Sequence, residues 1–353
     1  MDPDAPVPHM RSGGVVVFDG HNDTLTRDDA DRFAVGRAAG DLDLPRARAG
    51  GLAGGVFAIF TPSPGGAAEL VTHGDGGWEV PLADAVGASV AAPYATAAAG
   101  RLLRWERDGH VRVARSAADL DAARGGGPMA AVMHLEGAEA IDPGLEALDL
   151  WHAAGLRSLG PVWSRPTAFG HGVPFAHPRS PDTGPGLTDA GRRLVSRCAD
   201  LGIAVDVSHL NAAGVRDVAG LDRAPLVASH SGAHALAPTS RNLTDAQLDL
   251  IGGSGGIVGI PFAVELLRAD GRADPDTPLA WVVAHARHVA DRIGVAHVVL
   301  GSDFDGATMP AGLDAAALPR LLDALRDGGF DATEVAAVAW GNWRRVLAAC
   351  WGG

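Results

Sequence analysis

Five side chains of metal-binding type follow short apolar runs of this sequence. They are histidines or carboxylates: His21, Asp23, Glu136, His209 and His230. His21 and Asp23 are two positions apart, so they share one face of an extended segment. Imidazole and carboxylate groups suit Zn²⁺, with Mn²⁺ or Co²⁺ as alternatives. Two divalent ions held by this set would leave surplus positive charge, which stabilises a developing oxyanion and lowers the pKa of a bridging water.

A histidine at the end of a strand is usually a hydrogen-bonded structural residue, so none of these positions is informative alone. The prediction depends on their number and placement. Asp303 and Asp305 also follow an apolar run, in GSDFDG. Residues some 280 positions apart in sequence would therefore have to meet at one edge of the fold.

Eight apolar runs are the segments that would position these residues. They are Val15–Asp19, Ala53–Phe60, Ala130–Leu135, Leu156–Val162, Ile203–Val207, Pro225–Ser229, Gly256–Pro261 and His297–Ser302. Such runs favour strands buried on both faces of a parallel sheet. Helix-like segments alternate with them, and two begin near Asp189 and Asp245. The alternation predicts an α/β fold, a (β/α)8 TIM-like barrel whose strands end at one common mouth.

An open doubly wound sheet is the alternative architecture, but no G-x-G-x-x-G follows the first run to mark a dinucleotide site. We expect a single barrel domain over residues 15–353, preceded by a disordered or extended segment over residues 1–14. Two insertions interrupt the alternation, at residues 61–129 and 163–186. The second is rich in proline and glycine and long enough to act as a lid or binding loop.

Composition excludes several classes of function. The net charge of −13 argues against a nucleic-acid partner, and no apolar run is long enough for a signal peptide or a membrane span. Cys198 and Cys350 are expected to be free, buried thiols, which fits a cytoplasmic protein. Lysine is absent. Schiff-base chemistry, a P-loop and a carbamylated-lysine metal bridge are therefore excluded.

The sequence resembles the membrane dipeptidase (renal dipeptidase) family of metallopeptidases, peptidase family M19. The resemblance runs in order from about residue 15 to residue 349, through DGHND, HLEGAEAI, DVSHLN, SHSGAH, RNLTD, GSDFDG and GNWRRVL. It implies a (β/α)8 barrel with two zinc ions, which hydrolyses dipeptides by a metal-bridging hydroxide. A D-residue is often tolerated at the carboxyl side. The family often forms dimers, so a homodimer is a further expectation.

The resemblance also assigns roles to the metal-binding residues. His21 and Asp23 would hold one ion, His209 and His230 the other, and Glu136 would bridge both.

Two further residues match the family's reaction machinery. Arg241, in TSRNLTD, would bind the substrate carboxylate, for which a planar guanidinium is well suited. Asp303 would take a proton from the bridging water and pass it to the leaving amine. Asp303 and Glu136 are then the predicted catalytic residues, and Asp303 and Arg241 contact the substrate.

Trp163 departs from the family pattern. Many members have a histidine there, at the end of the fourth strand, which contacts the tetrahedral intermediate. Tryptophan donates only through its indole N–H. Loss of such a contact costs about 10²–10³ in rate when nothing replaces it. His171 could substitute from the following loop, although a solvent-facing position is equally expected for it.

The departure at Trp163 leaves two alternatives to a dipeptidase open. One is a metal-dependent amidohydrolase or tailoring enzyme acting on an N-acyl amino acid, a lactam or another non-dipeptide substrate. The other is a barrel that only binds a ligand, which the intact set of metal-binding residues disfavours. In each case the partner is a small molecule, with Trp163 among the residues that contact it.

Overall fold

The computed structural model describes residues 14–66, 69–74 and 76–352. Its strands, in chain order, are β1 (Val17–Asn22), β2 (Leu52–Phe60), β3 (Val71–Thr72), β4 (Trp78–Val80), β5 (Val111–Val113), β6 (Met129–Glu136), β7 (Leu156–Gly160), β8 (Phe175–His177), β9 (Ala204–Val205), β10 (Val227–Ala228), β11 (Ile257–Ile260) and β12 (Val298–Leu300). Its α-helices are α1 (Leu44–Gly50), α2 (Ala88–Arg107), α3 (Ala117–Arg124), α4 (Glu146–Ala154), α5 (Asp189–Leu201), α6 (Ala212–Leu221), α7 (Asp245–Gly253), α8 (Val264–Leu267), α9 (Ala280–Ile293), α10 (Leu318–Asp327), α11 (Ala332–Ala336) and α12 (Asn342–Trp351).

Eight of these strands form a closed parallel barrel. One sheet pairs β1, β2, β6, β7 and β9, and another pairs β10, β11 and β12. A parallel bridge between Asp206 and Val227 joins the two sheets, and a second between Asn22 and Phe304 closes the ring. Each of the eight apolar runs overlaps one barrel strand, and β1, β2 and β6 extend beyond their runs by one to three residues at an end. The predicted TIM-like barrel is confirmed, and the open doubly wound alternative is wrong.

The backbones of neighbouring barrel strands approach so closely that some positions exclude a Cβ atom. A Cβ built on Gly301, just after β12, would lie 1.8 Å from the carbonyl oxygen of Ser229. Glycine therefore lets the backbone that leads into His230 cross close to β12. The packing of the barrel interior thus fixes where one predicted metal-binding residue stands.

Helix starts follow local capping signals. Thr188 and Thr244 accept backbone hydrogen bonds at the first turns of α5 and α7, which begin at Asp189 and Asp245 as predicted. The last helical region of the chain is not one continuous α-helix. A π-helical segment over Ala337–Gly341 separates α11 from α12. Its extra residue changes the register, so that Trp340 and Trp343 both pack on Phe18, at 5.7 and 5.4 Å between ring centroids.

The insertions contain structure that the sequence pattern did not predict. Strands β3, β4 and β8 form a small antiparallel sheet, with β4 paired to both of the others. Strand β8 lies in the 163–186 insertion, whereas β3 and β4 lie in the 61–129 insertion. Strands of two or three residues are too short to show a period of two. The two insertions, which are separate in the sequence, are therefore joined by this sheet.

The sequence also led to expectations about the two cysteines and about the amino-terminal segment. Cys198 and Cys350 are free and buried, as predicted. The expected extended or disordered segment 1–14 lies, apart from Gly14, outside the described residues. Within the part of the chain that is described, none of the helices combines the length and the apolar character needed to span a bilayer.

Candidate metal centre and substrate site

The five predicted metal-binding side chains converge at the mouth of the barrel. Glu136, at the end of β6, is central: its Oε1 lies 2.9 Å from His209 Nε2, 3.4 Å from His21 Nε2 and 3.6 Å from His230 Nε2. Asp23 Oδ1 lies 3.9 Å from His21 Nε2. Two ligand groups result, His21–Asp23–Glu136 and Glu136–His209–His230, in each of which the ligand atoms lie within 4.8 Å of one another.

Burial keeps the three histidines neutral. It lowers the pKa of His21 to about 3, and the neighbouring His134 adds to this effect. The pKa values of His209 and His230 are likewise held well below their usual range by burial, with nearby positive and imidazole groups contributing. Neutral imidazole is the form that coordinates a metal ion.

The carboxylates at the centre lack compensating positive charge. Burial holds the pKa values of Glu136 and Asp23 well above their usual range. Asp303 raises the pKa values of both groups further, and Asp23 also raises that of Glu136. Among the described residues, neither ring nitrogen of the buried His21 nor Oδ1 of Asp23 has a hydrogen-bond partner. Divalent ions would satisfy these atoms and offset the negative charge, so the residues present fit a metal centre.

Two serines orient the histidines. Ser164 Oγ lies 2.9 Å from His209 Nδ1, and Ser229 Oγ lies 2.8 Å from His230 Nδ1. Engaging Nδ1 directs Nε2 of each ring towards Glu136. Neither serine was singled out in the sequence, although Ser229 immediately precedes His230.

A polar pair lies beneath the centre. His134 Nδ1 is 2.9 Å from Ser158 Oγ, and His134 Nε2 is 3.6 Å from Asp206 Oδ2. Asp206 in turn accepts hydrogen bonds from Ser208 and Ser229. The pair therefore supports the segment that carries His230 from below.

Arg241 is buried beside the same histidines. It donates to the carbonyl oxygen of Ser208, and its Nη2 lies 3.2 Å from His209 Nε2. Its Nε is buried without a hydrogen-bond partner in the described chain. The guanidinium thus has donor capacity left for a ligand in the cavity that it lines.

The two aspartates after β12 take different positions. Asp303 has a left-handed backbone (φ 64°), lines the cavity and forms a third potential ligand group with His21 and His230. Burial raises its pKa to about 6, which Arg241 opposes. Asp305 instead accepts hydrogen bonds from Arg37, from Thr24 Oγ1 at 2.8 Å and from the backbone of Asp41 at 2.9 Å. It therefore holds the loop together.

These groups surround a catalytic cavity of about 210 Å³. Asp23, Glu136, His209 and His230 line it, whereas the fully buried His21 is not among its described lining residues. A Cβ on Gly306 would lie 2.2 Å from Asp23 Oδ2, so glycine at this position leaves room for the carboxylate.

Trp163 forms an aromatic wall of the cavity. Its ring centroid lies 4.8 Å from that of Phe60, 5.6 Å from Phe175 and 5.8 Å from His209. The guanidinium of Arg165 stacks at 5.0 Å from the indole. His171 is not among the described residues that line this cavity.

Six of the described cavity residues were not predicted: Phe60, Phe175, Glu265, Leu266, Gly306 and Ala307. Phe60 is the last residue of β2, and Glu265 follows β11 by five positions. The rule that strand ends share one mouth could have found both. Phe175 lies in a strand too short to be recognised from sequence.

Comparison with known proteins shows what the chain is similar to. The sequence profile of the membrane dipeptidase family (peptidase family M19) matches residues 13–350. A metallo peptidase from Rhodobacter sphaeroides, solved with a phosphinate mimic of the dipeptide L-Ala-D-Ala, is 48% identical with a TM-score of 0.90, over 96% of this chain and 99% of that one. An uncharacterised Klebsiella pneumoniae protein from the pqqA 5′ region is 48% identical over 69% of this chain and 90% of its own length.

A more distant relative is the dipeptidase aclJ of Aspergillus oryzae, 35% identical over 63% of this chain and 51% of its own length. The profile match spans nearly all of the chain and includes every residue of the mouth described above. The chain therefore belongs to the membrane dipeptidase family, peptidase family M19, and is a metallo-dipeptidase.

Proposed function

We propose that this protein is a binuclear zinc dipeptidase that hydrolyses the amide bond of dipeptides and accepts a D-residue at the carboxyl side. The observation that carries the proposal is the position of Glu136 in two ligand groups at once, beside Arg241 in one small cavity. The Rhodobacter sphaeroides peptidase, solved with a mimic of L-Ala-D-Ala, supports this stereochemistry.

The metal-binding roles follow from the donor set. His21 and Asp23 would hold one ion, His209 and His230 the other, and Glu136 both; Mn²⁺ or Co²⁺ would suit the same donors. When bound, such ions supply Lewis-acid polarisation of the amide carbonyl and activation of water near neutral pH.

The remaining steps belong to residues of the chain. Arg241 binds the substrate carboxylate through its free donor capacity and so fixes the position of the amide bond. Asp303 accepts the proton of the attacking water and returns it to the departing amine nitrogen. Asp303 lines the cavity beside His21 and His230, the position that such a proton transfer requires.

Trp163 has a different role from the histidine that it replaces. Its indole cannot accept a proton, and its ring stands against His209 and Phe175. We assign it the apolar wall of the substrate site, which excludes water from one side of the cavity.

The proposal is tested by metal analysis and by kinetics with L-Ala-L-Ala and L-Ala-D-Ala. We expect about two zinc ions per chain, and a loss of about 10²–10⁴ in kcat for Asp303→Asn. Asp327→Asn, at the exposed end of α10, serves as the matched control. Fewer than one ion per chain after gentle purification, or full activity of Asp303→Asn, would contradict the proposal.

A second candidate function keeps the metal centre and changes the substrate. Trp163 in place of a polar histidine favours a less polar substrate, such as an N-acyl amino acid, a lactam or a natural-product intermediate. Dipeptides and N-acyl amino acids assayed side by side decide between the two. Turnover of N-acyl amino acids without turnover of any dipeptide would favour the second candidate.

A further inference from the structure

A larger cavity of about 470 Å³, here called the outer chamber, adjoins the catalytic cavity. Two residues, Phe175 and Glu265, line both spaces and so form the boundary between them. The described metal-binding residues belong to the catalytic cavity and not to the outer chamber. A ligand that extends from the metal centre past Phe175 therefore enters the outer chamber.

The wall of the outer chamber is mainly apolar. Trp78, Val80 and Phe175 come from the antiparallel sheet, and Leu70 and Ala273 from adjoining loops. Trp78 is held in place, because its Nε1 donates to the carbonyl oxygen of Gly271 at 2.8 Å and its ring stacks on His177. The chamber thus offers a preformed surface for an apolar side chain.

Thr72, His73, Arg272 and Glu265 are the polar side chains of the described wall. Arg272 is largely exposed and forms an ion pair with Asp270, whereas Glu265 is the one carboxylate of the described lining and stands at the boundary with the catalytic cavity. Its Oε2 is buried and has no hydrogen-bond partner among the described residues, and the ion pairs of the described chain do not include it. Burial raises its pKa to about 7, and the negative charge of Asp303 adds to the rise. A cationic ligand group beside it would satisfy the free oxygen and offset the cost of burying the carboxylate.

The charges of the two spaces orient a zwitterionic substrate. Arg241 attracts the carboxylate of a dipeptide, whereas Glu265 repels it and attracts the ammonium group. The amino-terminal residue must then face the boundary with the outer chamber. Only its side chain, and not that of the carboxyl-terminal residue, is directed towards the apolar wall.

We propose that the outer chamber is the subsite for the amino-terminal residue of the substrate: Glu265 accepts the ammonium group, and the apolar wall takes a bulky apolar side chain. This proposal rests on the dipeptidase function proposed above. It predicts a preference for dipeptides such as Leu-Ala and Phe-Ala, which the small catalytic cavity alone would not give.

The side-chain preference is tested with two substrate series. In the first, the amino-terminal residue is enlarged from Ala-Ala to Leu-Ala and Phe-Ala; in the second, the carboxyl-terminal residue is enlarged in the same way. We expect kcat/KM to rise at least tenfold along the first series, because burying two or three methylene groups has that effect, and not along the second. No rise in the first series, or an equal rise in both, would overturn the proposal.

The role of Glu265 is tested by Glu265→Gln, with Glu146→Gln on the exposed first turn of α4 as the matched control. Loss of a charged hydrogen bond should raise KM for Ala-Ala about tenfold or more. Lactoyl-alanine, in which a hydroxyl replaces the ammonium group, should inhibit the wild type and Glu265→Gln equally. An unchanged KM, or a weaker inhibition of the variant by lactoyl-alanine, would overturn the assignment.

A third variant tests the chamber without altering charge. Ala273 is exposed and lines the chamber, so Ala273→Trp fills space without disturbing the core. It should lower kcat/KM for Leu-Ala and Phe-Ala more than for Ala-Ala. Ala122→Trp, on the exposed face of α3, is the control and should change neither. Equal effects on all three substrates would contradict the proposal.

Direct binding separates this inference from the proposed function. Calorimetry with phosphinate mimics of Leu-Ala and Ala-Ala reports on the subsite whether or not a dipeptide is turned over. Tighter binding of the Leu-Ala mimic without dipeptide turnover would retain the subsite and reject the dipeptidase. Turnover of Ala-Ala with equal binding of the two mimics would retain the dipeptidase and reject the subsite.

Discussion

Two glutamates at the carboxyl end of β6 are almost equally buried and lie three residues apart, yet their surroundings differ in charge. Glu139 is paired with the buried Arg165, whose Nε lies 2.7 Å from its Oε1. Glu136 is surrounded by three neutral histidines instead. Burial raises the pKa of both carboxyl groups. Arg165 opposes the rise at Glu139, whereas at Glu136 Asp23 and Asp303 each increase the pKa by more than Arg241 lowers it.

The comparison distinguishes a buried carboxylate that is paired within the chain from one that needs a cation from outside. Arg165 compensates Glu139 within the chain, and the same arginine reaches the carbonyl oxygen of Thr61 and stacks on Trp163. Glu139 therefore has its countercharge within the chain, in an ion pair with Arg165, although neither of its oxygens has a hydrogen-bond partner among the described residues. At Glu136 the chain itself supplies too little positive charge, so the group is complete only when a cation from outside is bound.

The largest effect is expected from Glu136→Gln. The variant removes the proposed shared ligand of the two ions, and activity should fall by about 10³-fold or more, together with the metal content. Metal analysis and dipeptide kinetics measure both quantities. Glu139→Gln is the matched control, since it should retain its metal. A Glu136→Gln variant that keeps its metal and its activity would contradict the conclusion that Glu136, unlike Glu139, needs a bound cation.

Glu139→Gln should instead act on stability. It leaves Arg165 buried and unpaired, which should lower the free energy of unfolding by about 3–5 kcal/mol. Chemical denaturation measures this change. Replacing both partners, in Glu139→Gln with Arg165→Met, should recover part of the loss. Stability equal to that of the wild type in the single variant would show that the pair does not hold this segment.

Removing a serine that orients a histidine should have a smaller effect. Ser164→Ala frees Nδ1 of His209, and metal affinity should fall about 10–100-fold because the ring loses its fixed orientation. Competition with a chelator measures the affinity. Ser196→Ala, on α5, is a suitable control, since Ser196 Oγ bonds only to the backbone oxygen of Arg192. Unchanged affinity in Ser164→Ala would remove this serine from the site.

The smallest expected effect is that of pH on metal uptake. The raised pKa of Glu136 means that the metal-free protein holds a proton there, which the ion displaces. Affinity should therefore rise with pH, about tenfold per unit for one proton, until the pH exceeds the pKa of the metal-free carboxyl group. Calorimetry in buffers of different ionisation enthalpy counts the protons released. Uptake without proton release would show that Glu136 is already ionised.

The barrel, and the convergence of the proposed metal-binding residues at its mouth, could be predicted because they depend on strong local patterns. Each buried strand is a continuous apolar run, and the carboxyl ends of parallel strands lie at the same end of the barrel. The sequence alone therefore predicted that His21 and His230 lie close together. Arg241 follows no strand directly. Only the resemblance to the membrane dipeptidases pointed to it.

The substrate wall could not be predicted in the same way. Phe175 reaches the cavity through a three-residue strand whose partner, β4, lies about a hundred positions earlier in the chain. Pairings of this kind depend on tertiary contacts that a single sequence does not display. Glu265 follows a barrel strand, yet a single glutamate near a short helix has no spacing that distinguishes it from a surface residue.

The small antiparallel sheet has a consequence for how specificity can be inherited. Val173, two residues before β8, donates its N–H to the carbonyl oxygen of His209 at 3.0 Å. Strand β8 itself pairs with β4, which belongs to the other insertion. Exchanging only one insertion between relatives would leave a strand without its partner close to His209. Exchanging both would preserve the pairing. The two insertions therefore have to be exchanged together. Exchanged as a pair, they would change the substrate range while the barrel and its proposed metal-binding residues stay the same.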